Sequence, residues 1–85
     1  MRTAISVPPI TSIGIRLTRW IVADGARVGD EEDVCEFDAL SPYGGAMAAS
    51  TLVMPSPATG VLRHGVPAGS TVTIGQGVGW IESDG

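Results

Sequence analysis

A stretch of sequence that occurs twice most restricts what this chain can fold into. Val22–Val28 is VADGARV, and Val66–Val72, 44 residues later, is VPAGSTV, with valine at both ends and glycine at the same place. Val34–Asp38 and Val78–Glu82 repeat at the same distance. A unit of some 40 residues that is present twice predicts two similar sheets, related by an approximate twofold axis, that complete each other's core. Two units are too few for a solenoid.

The composition favours a small all-β protein. The 85 residues are enough for one domain, 1–85, and leave no room for a second core. Twelve glycines and six prolines predict many turns and little helix, while 44% hydrophobic and 16% charged residues are typical of a globular chain. We therefore expect short strands joined by tight turns.

Charge and hydropathy argue against several kinds of partner. The net charge is -4 and the five arginines are dispersed, so we expect no nucleic-acid partner. The apolar runs are too short for a signal peptide or a membrane span. A single cysteine excludes an internal disulfide framework and suits the reducing cytoplasm.

Local patterns place several turns and one irregular strand. Ile13–Thr18 alternates apolar and other side chains, but the phase changes at Arg19–Val22, which predicts a β-bulge or twist. Gly25 follows Asp24 in a turn that favours positive φ. Each half also begins alike, since a strand ends at Val7-Pro8 in one half and at Met54-Pro55 in the other.

No arrangement of residues predicts catalysis or metal binding. His64 is the one histidine and is expected at the surface, while Cys35 is expected to point inward as a structural side chain. The acidic run Asp30–Asp33 is expected to be a solvated turn rather than a metal site. There is no Gly-x-Ser-x-Gly sequence and no glycine-rich phosphate loop. We expect no catalytic residue, no metal and no enzymatic activity.

The two tryptophans are expected to differ. Trp20 should be half buried and stabilise the fold. Trp80 neighbours the inward Ile81 and should face outward, either as cover for the sheet or as an anchor for a partner.

Several motifs, in this order and spacing, resemble the biotinyl/lipoyl carrier-domain family, which includes the lipoyl domains of 2-oxoacid dehydrogenase acyltransferases and biotin carboxyl carrier proteins. The resemblance covers nearly the whole chain and rests on Val7-Pro8, Gly14-Ile15 with Trp20–Val22, Asp24–Val28, Met54–Pro57 with Gly60, and Val66–Gln76. Within the internal repeat of the chain, Gly14-Ile15 is matched with Gly60-Val61. The resemblance implies a flattened β-barrel, or barrel-sandwich hybrid, of seven or eight strands in two sheets with internal pseudo-twofold symmetry.

The resemblance also implies where a cofactor would be attached, and there the sequence departs from the family. Family members carry lipoyl or biotin on a lysine at the tip of the central hairpin, which lies here within Val34–Gly60. Counting forward from Gly25 places Ser41 at the lysine position, whereas counting back from Pro55 places Ala49 there. The hairpin is therefore about eight residues longer than in the family, and the chain contains no lysine. We expect no covalent cofactor.

These observations predict a non-catalytic, unmodified lipoyl/biotinyl-like domain that acts as a protein-interaction or structural module, with protein subunits of a multienzyme complex as its partners. The expected contact residues are Ser41, Pro42, Tyr43, Gly44, Gly45, Met47 and Trp80. One alternative is an accessory carrier-type component of a 2-oxoacid dehydrogenase or biotin-dependent carboxylase complex, with the cofactor supplied by another chain. Another is a decayed carrier without activity.

Overall fold

The computed structural model describes residues 1–9, 14–40 and 49–83, which form eight β-strands and no helix. The all-β prediction is confirmed. The strands are β1 (Arg2–Ser6), β2 (Gly14–Trp20), β3 (Arg27–Val28), β4 (Asp33–Leu40), β5 (Ala49–Pro55), β6 (Gly60–His64), β7 (Thr71–Val72) and β8 (Gly77–Glu82).

The strands form two antiparallel four-stranded sheets, in the orders β1-β8-β6-β3 and β5-β4-β2-β7. Each sheet takes two strands from each half of the chain, so neither half can complete a sheet by itself. The two orders are related by a shift of four strands: β1, β8, β6 and β3 of the first sheet take the places of β5, β4, β2 and β7 in the second, with the count restarting at β1 after β8. Two residues are called corresponding below when this rule and the strand register bring them to the same place in the two sheets.

The core lies between the inner faces of the two sheets. Leu17 pairs with Phe37 in one sheet, and the corresponding Leu62 pairs with Ile81 in the other; all four are fully buried. Each such side chain contributes about 1.5–3 kcal/mol through the hydrophobic effect. The core cluster consists of Ile5, Val7, Ile15, Leu17, Val28, Val34, Cys35, Phe37, Leu62, Val72, Val78 and Ile81.

The irregularity predicted in β2 is a β-bulge at Thr18. Leu17 pairs with Phe37 and Arg19 with Glu36, so the two residues on either side of Thr18 face consecutive residues of β4. The extra residue changes the phase of the strand. Trp20 therefore returns to the inner side, where it packs against the core.

Two pairs of turns bring the backbone into the left-handed region. Gly25 has φ 85°, as predicted, and Gly69, 44 residues later, has φ 92°. The second pair is also 44 residues apart, but its two residues differ in type: Gly75 has φ 81°, and Glu31, which carries a side chain, has φ 66°. Glu31 is the non-glycine residue with positive φ in the described part of the chain.

Hydrogen bonds correct the way in which the two halves were matched from sequence. Val7 donates its backbone N–H to Gln76 and accepts from Gly75, at 2.9 and 3.0 Å. The same two bonds, at 2.7 and 2.9 Å, join Ser56 to the turn that contains Glu31. Val7-Pro8 therefore corresponds to Ser56-Pro57 and not to Met54-Pro55.

The match proposed for the next strand is also wrong, by one residue. Ile15 pairs with Val72 and Gly60 with Val28, and these two valines are 44 residues apart. Ile15 therefore corresponds to Gly60, whereas the sequence had matched it with Val61.

The two ends of the described chain lie side by side because β1 pairs with β8. The N–H of Ser83 donates to the carbonyl oxygen of Met1 at 2.9 Å, and the amino group of Met1 donates to the carbonyl oxygen of Ser83 at 3.3 Å.

Candidate functional site

The hairpin that the sequence singles out is formed by β4 and β5. Its strands remain paired up to Leu40 and Ala49, and β4 also pairs with β2 on its other side. Ala49, one of the two positions counted for the family's lysine, is thus the first residue of β5. Ser41, the other position counted for the family's lysine and also an expected contact residue, lies outside the described residues, as do the expected contact residues Pro42, Tyr43, Gly44, Gly45 and Met47.

Polar contacts hold the outer face of this hairpin. Arg19 on β2 donates to Glu36 on β4 at 2.9 Å. This hydrogen bond, together with the charge of Arg19, lowers the pKa of the Glu36 carboxyl. Thr51 on β5 donates its hydroxyl to Asp38 at 3.1 Å. Both carboxylates are therefore occupied by side chains of neighbouring strands.

Cys35 lies on the inner face of β4 and is completely buried, as predicted. Burial raises the pKa of its thiol to about 12. The reactive form of cysteine is the thiolate, so at neutral pH this thiol is protonated and has no access to a substrate. Its contribution is to packing.

Trp80 lies on the outer face of β8, as predicted, and is half buried there. Its indole Nε1 donates to Glu82 at 3.2 Å, and the guanidinium carbon of Arg2 lies 5.0 Å from the ring centroid, within the range of a cation–π contact. Arg63 also donates to Glu82, at 3.4 Å. These four residues form the Trp80 cluster, which fixes an aromatic ring on the outside of the sheet.

Glu82 is the centre of this cluster. The hydrogen bond from Trp80, followed by the hydrogen bond and charge of Arg63 and the charge of Arg2, lowers the pKa of its carboxyl. The N of Arg2 nearest to it is 3.6 Å away. The ring of Trp80 is thus held by a carboxylate that stays ionised at neutral pH.

The closest aromatic contact in the described chain was not foreseen from sequence. The rings of Trp20 and His64 are stacked, with centroids 4.0 Å apart and planes 9° from parallel. Trp20 Nε1 donates to the carbonyl oxygen of Val66 at 2.9 Å, and His64 Nε2 lies 2.8 Å from the carbonyl oxygen of Val22. A carbonyl can only accept, so Nε2 of His64 carries a hydrogen. Trp20 and His64 are 44 residues apart, and so are their acceptors Val66 and Val22. The 44-residue repeat was therefore the sequence signal that could have predicted this contact.

His64 is therefore not a free surface residue, which corrects the expectation for it. Its ring is half buried against Trp20, and its backbone N–H donates to Asp24 Oδ1 at 2.8 Å. Trp20 is half buried, as predicted. The residues that sequence reasoning treated separately thus form one structural contact between the two sheets.

The acidic turn is exposed, as predicted. Glu32 accepts from the N–H of Gly29 at 3.0 Å, and Thr59 accepts from the N–H of Asp30 at 3.1 Å. These bonds close the turn on itself and on the neighbouring loop. Within residues 1–9, 14–40 and 49–83, no group of three or more His, Cys, Asp or Glu residues is placed to hold a metal ion.

Comparison with known proteins adds no relative to this description. No family model matches the chain, and no curated protein matches it. In the part of the chain that the structure describes, no helix is both long and apolar enough to cross a membrane.

Proposed function

We propose that this chain is an unmodified member of the biotinyl/lipoyl-like domains, a barrel-sandwich hybrid with approximate twofold symmetry that serves as a non-catalytic interaction module. Its partners are protein subunits of a multienzyme complex in the cytoplasm. The fold part of the proposal is supported by the two strand orders, which are related by adding four, and by the corresponding contacts of Val7 and Ser56.

The absence of lysine carries the functional part of the proposal. The β4–β5 hairpin consists of an inner strand, β4, and an edge strand, β5. In the biotinyl/lipoyl carrier-domain family, which the sequence resembles, this hairpin would carry lipoyl or biotin. The 85 residues include no lysine, so the hairpin has no side-chain amine to form the amide. A serine hydroxyl could form only an ester. The scaffold of a carrier is thus combined with a hairpin that cannot be loaded.

Mass spectrometry tests the lack of modification. The chain is co-expressed with a lipoate ligase or a biotin ligase, and we expect its mass to remain that of the unmodified polypeptide. The matched variant Ser41→Lys supplies one amine at the attachment position counted from Gly25. Loading of this variant alone would support both the family assignment and the loss of the cargo; a cofactor on the unsubstituted chain would overturn the proposal.

Co-purification from native extract tests the interaction role. We expect a stoichiometric protein partner whose recovery falls when Tyr43→Ala and Met47→Ala are introduced together, since these apolar side chains belong to the expected contact loop. Ile74→Ala, at an exposed apolar residue elsewhere in the chain, is the control. Dehydrogenase or carboxylase subunits as the partner would favour an accessory carrier component. The absence of any partner would favour a decayed carrier.

A further inference from the structure

Three arginines that are far apart in the sequence lie in the same sheet. Strands β1, β3 and β6 contribute Arg2, Arg27 and Arg63, and the acidic residue in the strands of this sheet is Glu82 on β8. Three positive charges and one negative charge give these strands a net charge of +2. The strands of the other sheet carry two arginines and three acidic residues, a net charge of -1. In a chain with a net charge of -4, positive charge is thus concentrated on one sheet.

These arginines point away from the core. Arg27 and Arg63 are each next to a buried residue on a strand, so their side chains lie on the opposite side of the sheet. The guanidinium of Arg2 lies over the ring of Trp80, which is also on the outside. We call this outer surface of the sheet β1-β8-β6-β3 the basic face.

Glu82 does not neutralise the basic face by itself. It accepts a hydrogen bond from Arg63 at 3.4 Å, and the nearest N of Arg2 is 3.6 Å away. The side chains of Arg2 and Arg63 are nevertheless 69% and 41% exposed. Asp24 lies beside β6, where its Oδ1 accepts a backbone N–H of that strand. Counting this carboxylate as well still leaves an excess of positive charge.

The strand register sets the spacing of the positive charges. Arg2 pairs with Glu82, Glu82 with Val61, and Val61 with Arg27, so these four residues form one row across the sheet. Neighbouring strands are about 4.8 Å apart, which places Arg2 and Arg27 about 14 Å apart along this row. An extended polypeptide covers that distance in about four residues. The ring of Trp80 lies beside the row, on the same face.

We propose that the basic face binds an extended acidic segment of a partner protein, whose carboxylates lie over Arg2 and Arg27 and whose apolar side chain packs on Trp80. Charge complementarity selects such a segment and directs it to this face, because the rest of the chain is acidic. Tryptophan and arginine are also the residues that contribute most to binding at protein interfaces. This inference rests on the proposed interaction role and narrows the partner to one that offers an acidic contact segment.

Peptide binding to the whole chain tests the proposal. The probe is a short threonine-rich peptide with two glutamates about four residues apart and a leucine between them; the matched control has glutamine in place of both glutamates. The indole N–H signals in NMR spectra report where the peptide binds, because Nε1 of Trp80 donates to Glu82 on the basic face, whereas Nε1 of Trp20 donates to Val66. We expect the glutamate peptide to shift the Trp80 signal with a dissociation constant of about 1 mM and to leave the Trp20 signal in place.

Removal of single charges then locates the contact. Arg2→Gln should raise the dissociation constant of the glutamate peptide about two- to fivefold, the range for an exposed ion pair. Arg16→Gln is the matched control: it removes the same charge from an exposed residue of the other sheet and should leave the affinity unchanged. Higher salt should weaken binding of the glutamate peptide. Thermal melts of both variants show whether the fold is retained.

The proposal is overturned if the Trp80 signal does not shift, if the glutamine peptide binds equally well, or if Arg2→Gln and Arg16→Gln weaken binding equally. An equal shift of the Trp80 signal with inorganic phosphate would also overturn it, since the face would then bind anions in general. Co-purification separates this inference from the proposed function. A protein partner whose recovery from extract is unaffected by Arg2→Gln overturns this inference alone, whereas the absence of any partner overturns the interaction role itself.

Discussion

The two sheets have related strand orders and pair apolar residues on their inner faces, whereas their outer faces differ. On the inner faces, the pair Leu17 and Phe37 corresponds to Leu62 and Ile81, and all four are buried. On the outer face at the middle of the central strands, one sheet has Trp80 beneath Arg2, and the corresponding residue of the other sheet is Glu36.

Where the two sheets meet, corresponding positions hold different rings. Trp20 corresponds to His64, and the two stack on each other while donating to acceptors that are 44 residues apart. The residues paired in register with these rings also differ, since Trp20 pairs with Cys35 whereas His64 pairs with the corresponding Gly79. A Cβ atom at Gly79 would lie 2.9 Å from the ring of Trp20.

Packing between the sheets restricts the residue type at some corresponding positions and not at others. Trp20 and His64 differ in type, but each binds the carbonyl oxygen of a valine in the same way, Val66 for Trp20 and Val22 for His64. The way the sheets meet therefore requires a ring with an N–H group at both positions. A position that holds tryptophan in one sheet and an ion-paired glutamate in the other is not determined by the fold. Substitutions at corresponding positions can therefore test how far the likeness extends.

The largest effect is expected from Gly79→Ala. The added Cβ would collide with the carbonyl oxygen of Arg63 and lie 2.9 Å from Trp20, so the strand must shift. We expect the free energy of unfolding to fall by about 2–3 kcal/mol. Denaturant titration measures it. At the corresponding Cys35, Cys35→Ala removes a single sulfur and should cost about 1 kcal/mol; equal losses would contradict the unequal packing of the two sheets.

Removing either ring donor of the stacked pair should have a smaller effect, about 1–2 kcal/mol. Trp20→Phe leaves the carbonyl of Val66 without its donor, and His64→Phe does the same for Val22. Because the rings touch, the double variant should differ from the sum of the two single ones. Additive losses in thermal or chemical unfolding would mean that the two contacts are independent.

The turns with positive φ allow a stabilising change. An L side chain in the left-handed region costs roughly 1–2 kcal/mol, and glycine adds roughly 0.5–1 kcal/mol of backbone entropy. Glu31→Gly should therefore stabilise the fold by about 0.5–1 kcal/mol, and the reciprocal Gly75→Ala should destabilise it. A higher melting temperature for the first variant and a lower one for the second is the expected result; a destabilised Glu31→Gly would show that the strain at φ 66° is negligible.

The smallest effects concern the charges on the outer faces. The folded-state pKa of Glu36 is lowered by Arg19, so its ion pair contributes in full above the unfolded pKa of about 4.3 and loses that contribution as the pH falls through the lowered value. The melting temperature of Glu36→Gln should lie slightly below wild type at pH 7 and approach it in acid. Glu82→Gln should behave likewise. High salt should narrow both differences, and a difference that widens in acid would falsify this account.

Short-range features of the fold could be predicted from the sequence. The bulge at Thr18 follows from a change of phase within one strand, and the positive φ of Gly25 follows from a turn of a few residues. The inward direction of Cys35 and the outward direction of Trp80 follow from alternation along single strands. In each case the determining residues are neighbours in the chain.

Features that depend on how the halves meet could not be predicted. Met54-Pro55 and Ser56-Pro57 are equally good ends for a strand, and only hydrogen bonds to the turn at Glu31 distinguish them. The bulge at Thr18 adds one residue to one half, which explains the error of one residue at Gly60. The stack of Trp20 on His64 requires the two sheets to be placed against each other, and no local pattern contains that information.

The pairing of the two chain ends has a consequence for connectivity. Met1 lies just before β1 and Ser83 just after β8, and the hydrogen bond between them extends the β1–β8 ladder by one residue pair. Met1 corresponds to Ser50 on β5, and Ser83 corresponds to Ala39 on β4. The end of β4 and the start of β5 in one sheet thus correspond to the end of β8 and the start of β1 in the other. A linker joining the end of β8 to the start of β1, with a new opening between 41 and 48, gives a circular permutant with the same strand orders. In these strand orders, a connection from β8 to β1 would be equivalent to the existing connection from β4 to β5.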